Sequence, residues 1–450
     1  MKIRLIYDPI LRKSVHEVTV FNSELNNIAD EMIKTMRAND GVGIAANQVG
    51  LDMRMFVCGY NQTSKDDEIP EIPFQAFVNP KIVKFSKEKD VLTEGCLSLP
   101  ILELPVERSS GIEVEYQDLL GNKKSLRAKG VFARIIQHEI DHLNGILFTD
   151  RAKNISLLEN YRYAKIVFFG SDEFSLPSLK EMFDGGLTIL GVITESPKRA
   201  GRGDNLKPTV VQQFCNQNGI SVFNPENKKE ITNIIKQLKP DLIVLASYGK
   251  ILENATLEIP IYGCLNVHPS LLPKYRGATP IQNAILNGDK ETGVTIMKMN
   301  SEVDAGLIID QQKVGLSVDA NTESLKNQLA QIGAKLLIKN IPPYLSGQSK
   351  ITNQAGEPLL TKKLSKEMGQ IDWDQPIEQI DRNIRALNPW PGTFTFLDDK
   401  RLIIKSAKVV GDKLELLQVQ LEGKNVINFD DFKRGYLNQL TKQAWFSKIA

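Results

Sequence analysis

The sequence predicts a multidomain protein: an α+β domain over residues 1–160, an α/β domain with a mostly parallel sheet over 164–345, and a small β-rich domain over 358–450. Three observations carry this. At 450 residues the chain exceeds one ordinary hydrophobic core, and such a length suits roughly two to four domains. Near Lys165 the hydrophobic pattern switches from short strands with turns to a regular alternation of apolar strands and helices, as expected of βαβ units. It switches again after a loop-like stretch, PPYLSGQSKITNQAGEP (342–358), beyond which a helix leads into strands.

Element by element, the first domain opens with a helix over 24–39 (ELNNIADEMIKTMRAN), whose apolar residues recur at helical spacing. Short strands with turns follow at 53–60, 75–85 and 111–122, and a second helix at 131–145 (VFARIIQHEIDHLNG). A helix over 154–163 (NISLLENYRY), poor in Gly and Pro, tethers this domain closely to the next. There the predicted order is strand 165–170 (KIVFFG), helix 174–183, strand 187–194, helix 208–219, strand 241–249 and strand 264–269 (CLNVHP), then helix 280–288 and strand 293–299. In the last domain a helix over 376–387 stops at the Pro-rich ALNPWPG, and strands follow at 394–397, 401–410 and 413–421.

Composition excludes several classes. No apolar run approaches the ~18 residues that span a bilayer, and the start, MKIRLIYDPILRKS, mixes charges and Pro among its apolar residues. Neither export nor membrane insertion is expected, and the four scattered cysteines suit a reducing cytoplasm. A net charge of +2 announces no global nucleic-acid surface. The first 163 residues are about 2 negative and the rest about 4 positive, mild support for an anionic partner of the later part. Of four histidines, His138, His142 and His268 fall within two short signatures and only His16 lies outside them.

The first signature is His138-Glu139-Ile140-Asp141-His142 on the second helix. Its histidines are four apart, so both rings project from one face and can share a metal, with Glu139 beside the metal-bound water as general base. Histidines that merely cover a helix fit the bare pattern too, so the third ligand decides. Cys96, in TEGCLSLP (93–100), supplies a thiolate on a backbone opened by Gly95. Three protein ligands leave a fourth position for water, which is a catalytic arrangement and not a structural one. The loop GVGIAANQ (41–48) has small residues along which a substrate chain could lie, then Gln48, whose amide can donate to an oxyanion; a plain tight turn fits that loop equally.

Together GVGIAANQ, EGCLS and QHEIDH, in that order, resemble the three motifs of peptide deformylase, over about residues 1 to 160. The resemblance implies Cys96, His138 and His142 as ligands of Fe(II) or Zn(II), Glu139 as acid and base, and Gln48 with the Leu97 amide as oxyanion donors. It implies release of formate from N-formylmethionyl peptides, with Gly41, Val42 and Gly43 pairing the peptide backbone in strand fashion. The donor set does not separate the two metals. Arg134, one turn before His138, is expected to pair with Glu94 and position the helix.

The second signature follows a first βα turn, Gly170-Ser171-Asp172-Glu173-Phe174, with one glycine where a dinucleotide fingerprint needs three. A dinucleotide cofactor is thereby excluded. Asn266 and His268 are two apart on the strand 264–269, so their side chains share a face at its carboxyl end, where open α/β sheets place ligands. Asp304 follows the strand 293–299. Amide, imidazole and carboxylate can stabilise an oxyanion and move a proton without a covalent intermediate. A capping histidine and a turn-forming aspartate before Gly306 fit the same spacing.

Here NVHPSLLPKYRGATPIQ (266–282) resembles the signature of the 10-formyltetrahydrofolate formyltransferases, with a Rossmann-like fold. Three stretches narrow the likeness to methionyl-tRNA formyltransferases: TESPKRAGRGDNLKPT (194–209), YGKIL (248–252), and KLSKEMGQIDW with IRALNPWPGT in the last region. It implies formyl transfer from 10-formyltetrahydrofolate to the amine of initiator methionyl-tRNA. Asn266 and His268 would hold the oxyanion, Asp304 would tune His268, and Tyr248, Gly249 and Ser270, Leu271, Leu272 and Pro273 would line the substrate site. Arg199, Arg202 and Lys207 would meet the acceptor stem; a solvated charge cluster is the plain alternative.

The family's third domain is a longer OB-like barrel, whereas here RLIIKSAKVV passes one turn into LELLQVQLEGKNVINFDDF, a shortened version. The expected whole is a bifunctional cytoplasmic enzyme of formylmethionine metabolism, meeting nascent formylated peptides and hence the ribosome. The competing readings are a formyltransferase for a sugar nucleotide or purine precursor, and one inactive domain kept as a scaffold.

Overall fold

A computed structural model describes residues 1–6, 8–61, 71–152, 164–200 and 205–449. The helix expected over 154–163 lies outside the described residues, as do Arg202 and the side chain of Arg199. The chain divides into two compact units, 1–164 with 341–349, and 165–340 with 350–450. Cys58, Cys96, Cys215 and Cys264 are all free thiols. Among the described residues no helix is long and apolar enough to cross a membrane.

The first unit is α+β. Helix α1 (Ser23–Arg37) starts where the Asn22 side chain accepts from the Leu25 amide, and buries Leu25, Ala29, Met32 and Met36 at helical spacing. Strands β1 (Gly43–Ala45), β2 (Met55–Tyr60), β3 (Ile72–Phe85), β4 (Lys89–Cys96), β5 (Leu99–Ser109), β6 (Gly111–Gln117) and β7 (Lys123–Lys129) precede helix α2 (Gly130–Leu143). Five of them form an antiparallel sheet in the order β1-β2-β3-β6-β7, so β1 is an edge; β4 and β5 make a separate hairpin. Ala133, Ile136, Ile140 and Leu143 of α2 pack with Phe56, Phe77 and Val114 of the sheet. That packing fixes the rotation of α2 about its axis.

The second unit begins as α/β, with β8 (Ile166–Phe169), α3 (Leu176–Asp184), β9 (Ile189–Ile193), the two-stranded β10 (Lys198–Ala200) and β11 (Asn205–Lys207), α4 (Val210–Asn218) and β12 (Val222–Phe223). It continues through α5 (Lys228–Leu238), β13 (Leu242–Ala246), α6 (Asn254–Leu257), β14 (Cys264–His268), β15 (Arg276–Gly277), α7 (Pro280–Leu286), β16 (Glu291–Lys298), β17 (Leu307–Gly315) and α8 (Thr322–Leu345). The main sheet runs β12-β9-β8-β13-β14-β16-β17. Its first five strands are parallel and the last two antiparallel, so the mostly parallel sheet expected from the alternation is present. Val167, Phe169, Ile243 and Leu245 form its core with Ile231 and Ile235 of α5.

One expected loop is different. Residues 342–345 continue α8, with Pro342 and Pro343 inside the helix. The Ser346 amide still donates to the Pro342 carbonyl at 3.0 Å, so the ladder resumes beyond the two rings that break it.

The same unit ends with β18 (Leu360–Thr361), α9 (Ile377–Leu387), β19 (Thr393–Leu397), β20 (Lys400–Val410), β21 (Lys413–Leu421), β22 (Ile427–Asn428) and α10 (Phe429–Leu440). The last four strands form a small antiparallel sheet. Ile380 and Ile384 of α9 and Phe429, Phe432 and Leu440 of α10 close over Leu402, Ile404, Leu414 and Val419 of that sheet. Helix α10, absent from the sequence reading, therefore stands where further strands were missed.

Candidate active sites

Helix α2 and the end of β4 create the first site. The candidate ligand atoms of Cys96, His138 and His142 lie within 4.8 Å of one another, and Cys96 Sγ is 3.2 Å from His142 Nε2. Glu94 Oε2 is 3.0 Å from His138 Nδ1, a contact that puts the ring's proton on Nδ1 and leaves Nε2 for a ligand role. Burial first, and then the charge of Arg108, push His142 well below its ordinary value, so it is the neutral imidazole a metal requires. Thiolate plus two imidazoles is a donor set for Zn(II) or Fe(II), and these residues fit such an ion.

Behind the ligands runs a buried charge relay. Arg108 grips Glu94 with Nε at 2.6 Å and Nη2 at 2.8 Å, and donates from Nη1 to Asp141 at 2.7 Å. Arg134 donates to the same Glu94 at 2.6 Å, the pairing expected from its position one turn before His138. Arg151 holds Asp141 at 2.5 and 2.6 Å. Burial alone would raise Glu94, but Arg108 and His138 outweigh it and hold its carboxyl well below the carboxylate range. Asn47 adds a bond from its amide to the His142 carbonyl at 2.6 Å. Sequence reasoning missed Arg108, Asp141 and Asn47 as members of this site; Asp141 lay within the signature, whereas no spacing along the chain links Arg108 to Glu94.

Glu139 points at the glycine loop, where a Cβ on Gly43 would lie 2.5 Å from its Oε1. Its Oε2 is buried without a hydrogen-bond partner, and burial pushes the carboxyl up to about 7 against the pull of His138 and Arg108. Gln48 is locked by its Oε1, which accepts from the Ala45 amide at 2.7 Å, and its Nε2 faces Cys96 Sγ at 3.4 Å and Ser98 Oγ at 3.2 Å. Leu97 follows Cys96 and crowds Gly41, whose Cβ would meet its side chain at 2.8 Å. Gly43 begins edge strand β1, Gly41 and Val42 lead into it, and the Val42 carbonyl accepts from Gly59 at 3.0 Å. Acid, amide donor and strand edge thus converge beside the three ligands.

The second site lies at the carboxyl end of β14. Asn266 and His268 emerge on one face, and Asp304 meets them: Asn266 Nδ2 is 3.5 Å from Asp304 Oδ1 and His268 Nδ1 is 3.7 Å from Oδ2. Asp304 Oδ2 also accepts from the Gly277 amide at 2.8 Å. The Tyr275 carbonyl lies 3.0 Å from His268 Nε2, so the ring carries its proton on Nε2 and turns Nδ1, a proton acceptor, toward Asp304.

Around them, the loop 270–273 is pinned by Thr295, whose hydroxyl donates to the Ser270 carbonyl at 2.6 Å and accepts from the Leu272 amide at 3.2 Å. Leu271 crosses Gly293, where a Cβ would meet it at 2.5 Å, and Pro273 follows. Tyr248 packs edge-on against Phe169, with ring centroids 5.1 Å apart; burial, with Glu195 nearby, pushes its phenol up to about 12. Gly249 is exposed, with Glu195 Oε1 3.3 Å from where its Cβ would be. Of the basic loop, Lys207 is exposed on β11, paired across the hairpin with Lys198 of β10.

Comparisons with known proteins divide the chain in the same way. Residues 1–157 match the family model for polypeptide deformylase, 164–341 that for formyl transferase, and 363–415 that for the formyl transferase C-terminal domain. A methionyl-tRNA formyltransferase of Caldanaerobacter subterraneus is 42% identical over 254 residues, 55% of this chain and 81% of that protein. One from Agathobacter rectalis is 37% identical over 298 residues, 60% of this chain and 96% of its own. Among solved structures, a peptide deformylase from Thermotoga maritima is 40% identical, spanning 34% of this chain and 97% of its own, with a TM-score of 0.31.

Proposed function

Because this chain belongs to the methionyl-tRNA formyltransferase family and carries a polypeptide deformylase domain ahead of it, we propose a division of labour between its two sites. It is a bifunctional enzyme of formylmethionine metabolism, a metal-dependent peptide deformylase and a methionyl-tRNA formyltransferase that uses formyltetrahydrofolate. Domain limits of 1–160, 164–345 and 358–450 are part of this reading.

In the first site Cys96, His138 and His142 hold the ion, ferrous iron or zinc. When bound, the ion polarises a carbonyl and lowers the pKa of water. Glu139 takes the proton of the attacking water and passes it to the departing amine. The Gln48 amide and the Leu97 N–H donate to the oxyanion formed on the formyl carbon. The peptide lies as an added strand along Gly41, Val42 and Gly43. What supports this is the clustering of three ligand atoms within 4.8 Å next to a carboxyl that burial holds near the working pH.

In the second site the methionyl amine attacks the formyl carbon of 10-formyltetrahydrofolate, the bond from that carbon to the folate nitrogen breaks, and the amine's proton passes by way of Nδ1 of His268 to the departing folate nitrogen. Asn266 donates to the oxyanion, His268 adds its Nδ1–H once that atom has taken the amine's proton, and Asp304 balances the charge of the imidazolium. Tyr248, Gly249 and the loop 270–273 border the folate, and Arg199, Arg202 and Lys207 meet the tRNA backbone. The cytoplasm, nascent formylated peptides and contact with the ribosome complete the reading.

The test is separation on one chain. Glu139→Ala should abolish formate release from formyl-Met peptides and leave formyl transfer untouched, and Asn266→Ala or His268→Ala should do the reverse. A variant that loses both activities while still folded contradicts independent sites. A wild-type chain that fails to formylate initiator methionyl-tRNA from 10-formyltetrahydrofolate removes the tRNA assignment.

A further inference from the structure

The segment that follows α8 does more than connect. It crosses the formyl-transfer site as a strap: Thr352 pairs with Ile308 through bonds of 2.8 and 2.9 Å, and Leu360 and Thr361 pair in parallel with Arg276 and Gly277. Between these anchors sits Gln354. Its Nε2 donates to the carbonyls of Asp304 and Gly306, both at 2.8 Å, and its Oε1 accepts from Arg276 Nε at 3.0 Å and Nη2 at 2.7 Å. One side chain thus spends its full bonding capacity on the two loops that supply Asp304 and the Gly277 amide.

Asp304 needs such an outside hold. Its φ is 49°, in the left-handed region that a residue with a side chain keeps only when its surroundings dictate it. Gly306 is pressed against β16, where a Cβ would lie 1.9 Å from the Lys298 carbonyl, so the turn cannot relax on that side. The carboxylate is aimed by the backbone that Gln354 holds, toward both the Gly277 amide at 2.8 Å and His268 Nδ1 at 3.7 Å.

We propose that Gln354 is a positioning residue for formyl transfer, fixing the backbone of Asp304 and joining it to the Arg276–Gly277 loop. It touches neither reactant and acts through Asp304; the inference rests on the assignment of Asp304 given above. Losing the amide lets Asp304 turn its carboxylate away from His268, which slows the chemical step without altering how either substrate is bound.

The experiment uses the full metal-loaded chain, with deformylation of a formyl-Met peptide as an internal control of folding. Gln354→Ala should lower kcat for formyl transfer on the order of 10- to 100-fold, with KM for 10-formyltetrahydrofolate and for methionyl-tRNA unchanged within about twofold. Gln354→Glu keeps an oxygen for Arg276 but offers no amide hydrogen to the two carbonyls, and should be as slow as the alanine variant. In an Asp304→Asn background, Gln354→Ala should cause no further loss, since the two residues act as one unit. A wild-type kcat for Gln354→Ala, full activity for Gln354→Glu, or losses that multiply in the double variant would each overturn the role of Gln354. If Asp304→Asn itself retains full activity, the assignment of the site falls instead.

Discussion

Glu94 illustrates how much of a metal site lies behind its ligands. It orients His138 through Nδ1 at 3.0 Å, and removing such a partner typically weakens metal binding about 10- to 100-fold. Glu94→Gln should therefore weaken zinc binding by that factor in a competitive chelator titration. Arg108 is the counterweight: its side chain is 3% exposed, and it neutralises Glu94 and Asp141, 5% and 7% exposed. Arg108→Ala removes the cation shared by two buried carboxylates, which keep Arg134 and Arg151 as partners, and should destabilise the first unit by about 1–3 kcal/mol, measurable by urea unfolding. The candidate ligands His138 and His142, and the pair Asn266 and His268, were legible because their spacing along helix or strand puts each pair on one face; Cys96, Glu139 and Asp304 were legible from the short motifs that hold them. Arg108 was not, because it lies 14 residues from Glu94 and 33 from Asp141, and only the pairing of β4 with β5 together with the packing of α2 brings the three together.

Elements were legible where the pattern had a clear period. Of the parallel strands of the main sheet, β8, β9, β13 and β14, runs of apolar residues bounded by turns, were expected and the two-residue β12 was not; α1, α2, α7 and α9 were expected as well. Two features were missed. Pro342 and Pro343 read as a loop although α8 passes through them, and α10, which completes the core of the shortened β domain, was not expected. FDDFKRGYLNQL, with Gly435 within it and Tyr436 off helical φ and ψ, gives a weak helical signal that packing overrides. The consequence is measurable. Phe432 is 1% exposed, its ring stacked 4.5 Å from that of Tyr436, so Phe432→Ala should cost about 3–5 kcal/mol in the unfolding of the small antiparallel sheet. A near-neutral result would mean that α10 is an ornament on a sheet that stands without it.

Across the whole molecule, two chemistries that oppose each other on paper act on substrates of different form, an aminoacyl-tRNA and a peptide. Their demands on the solvent differ too. On the assignment proposed above, deformylation depends on an ion held by Cys96, His138 and His142, whereas nothing in the set Asn266, His268 and Asp304 calls for one. Dialysis against a chelator should therefore abolish formate release and leave the rate of formyl transfer as it was, with zinc or ferrous iron restoring the first activity. Transfer that falls in step with deformylation would reveal a dependence that the two residue sets do not contain.

The edge strand β1 has a further implication for what this protein can afford to ignore. A site that recognises its client by hydrogen bonds to the main chain reads grammar and not vocabulary, because every peptide offers the same amides and carbonyls whatever its side chains spell. On the strand pairing proposed for Gly41, Val42 and Gly43, discrimination is left to the formylated first residue at the ligand cluster, and one groove would serve a whole proteome. Across a library of formyl-Met peptides varied from the third residue onward, kcat/KM should stay within about one order of magnitude, since a solvent-facing side chain contributes ~1 kcal/mol or less.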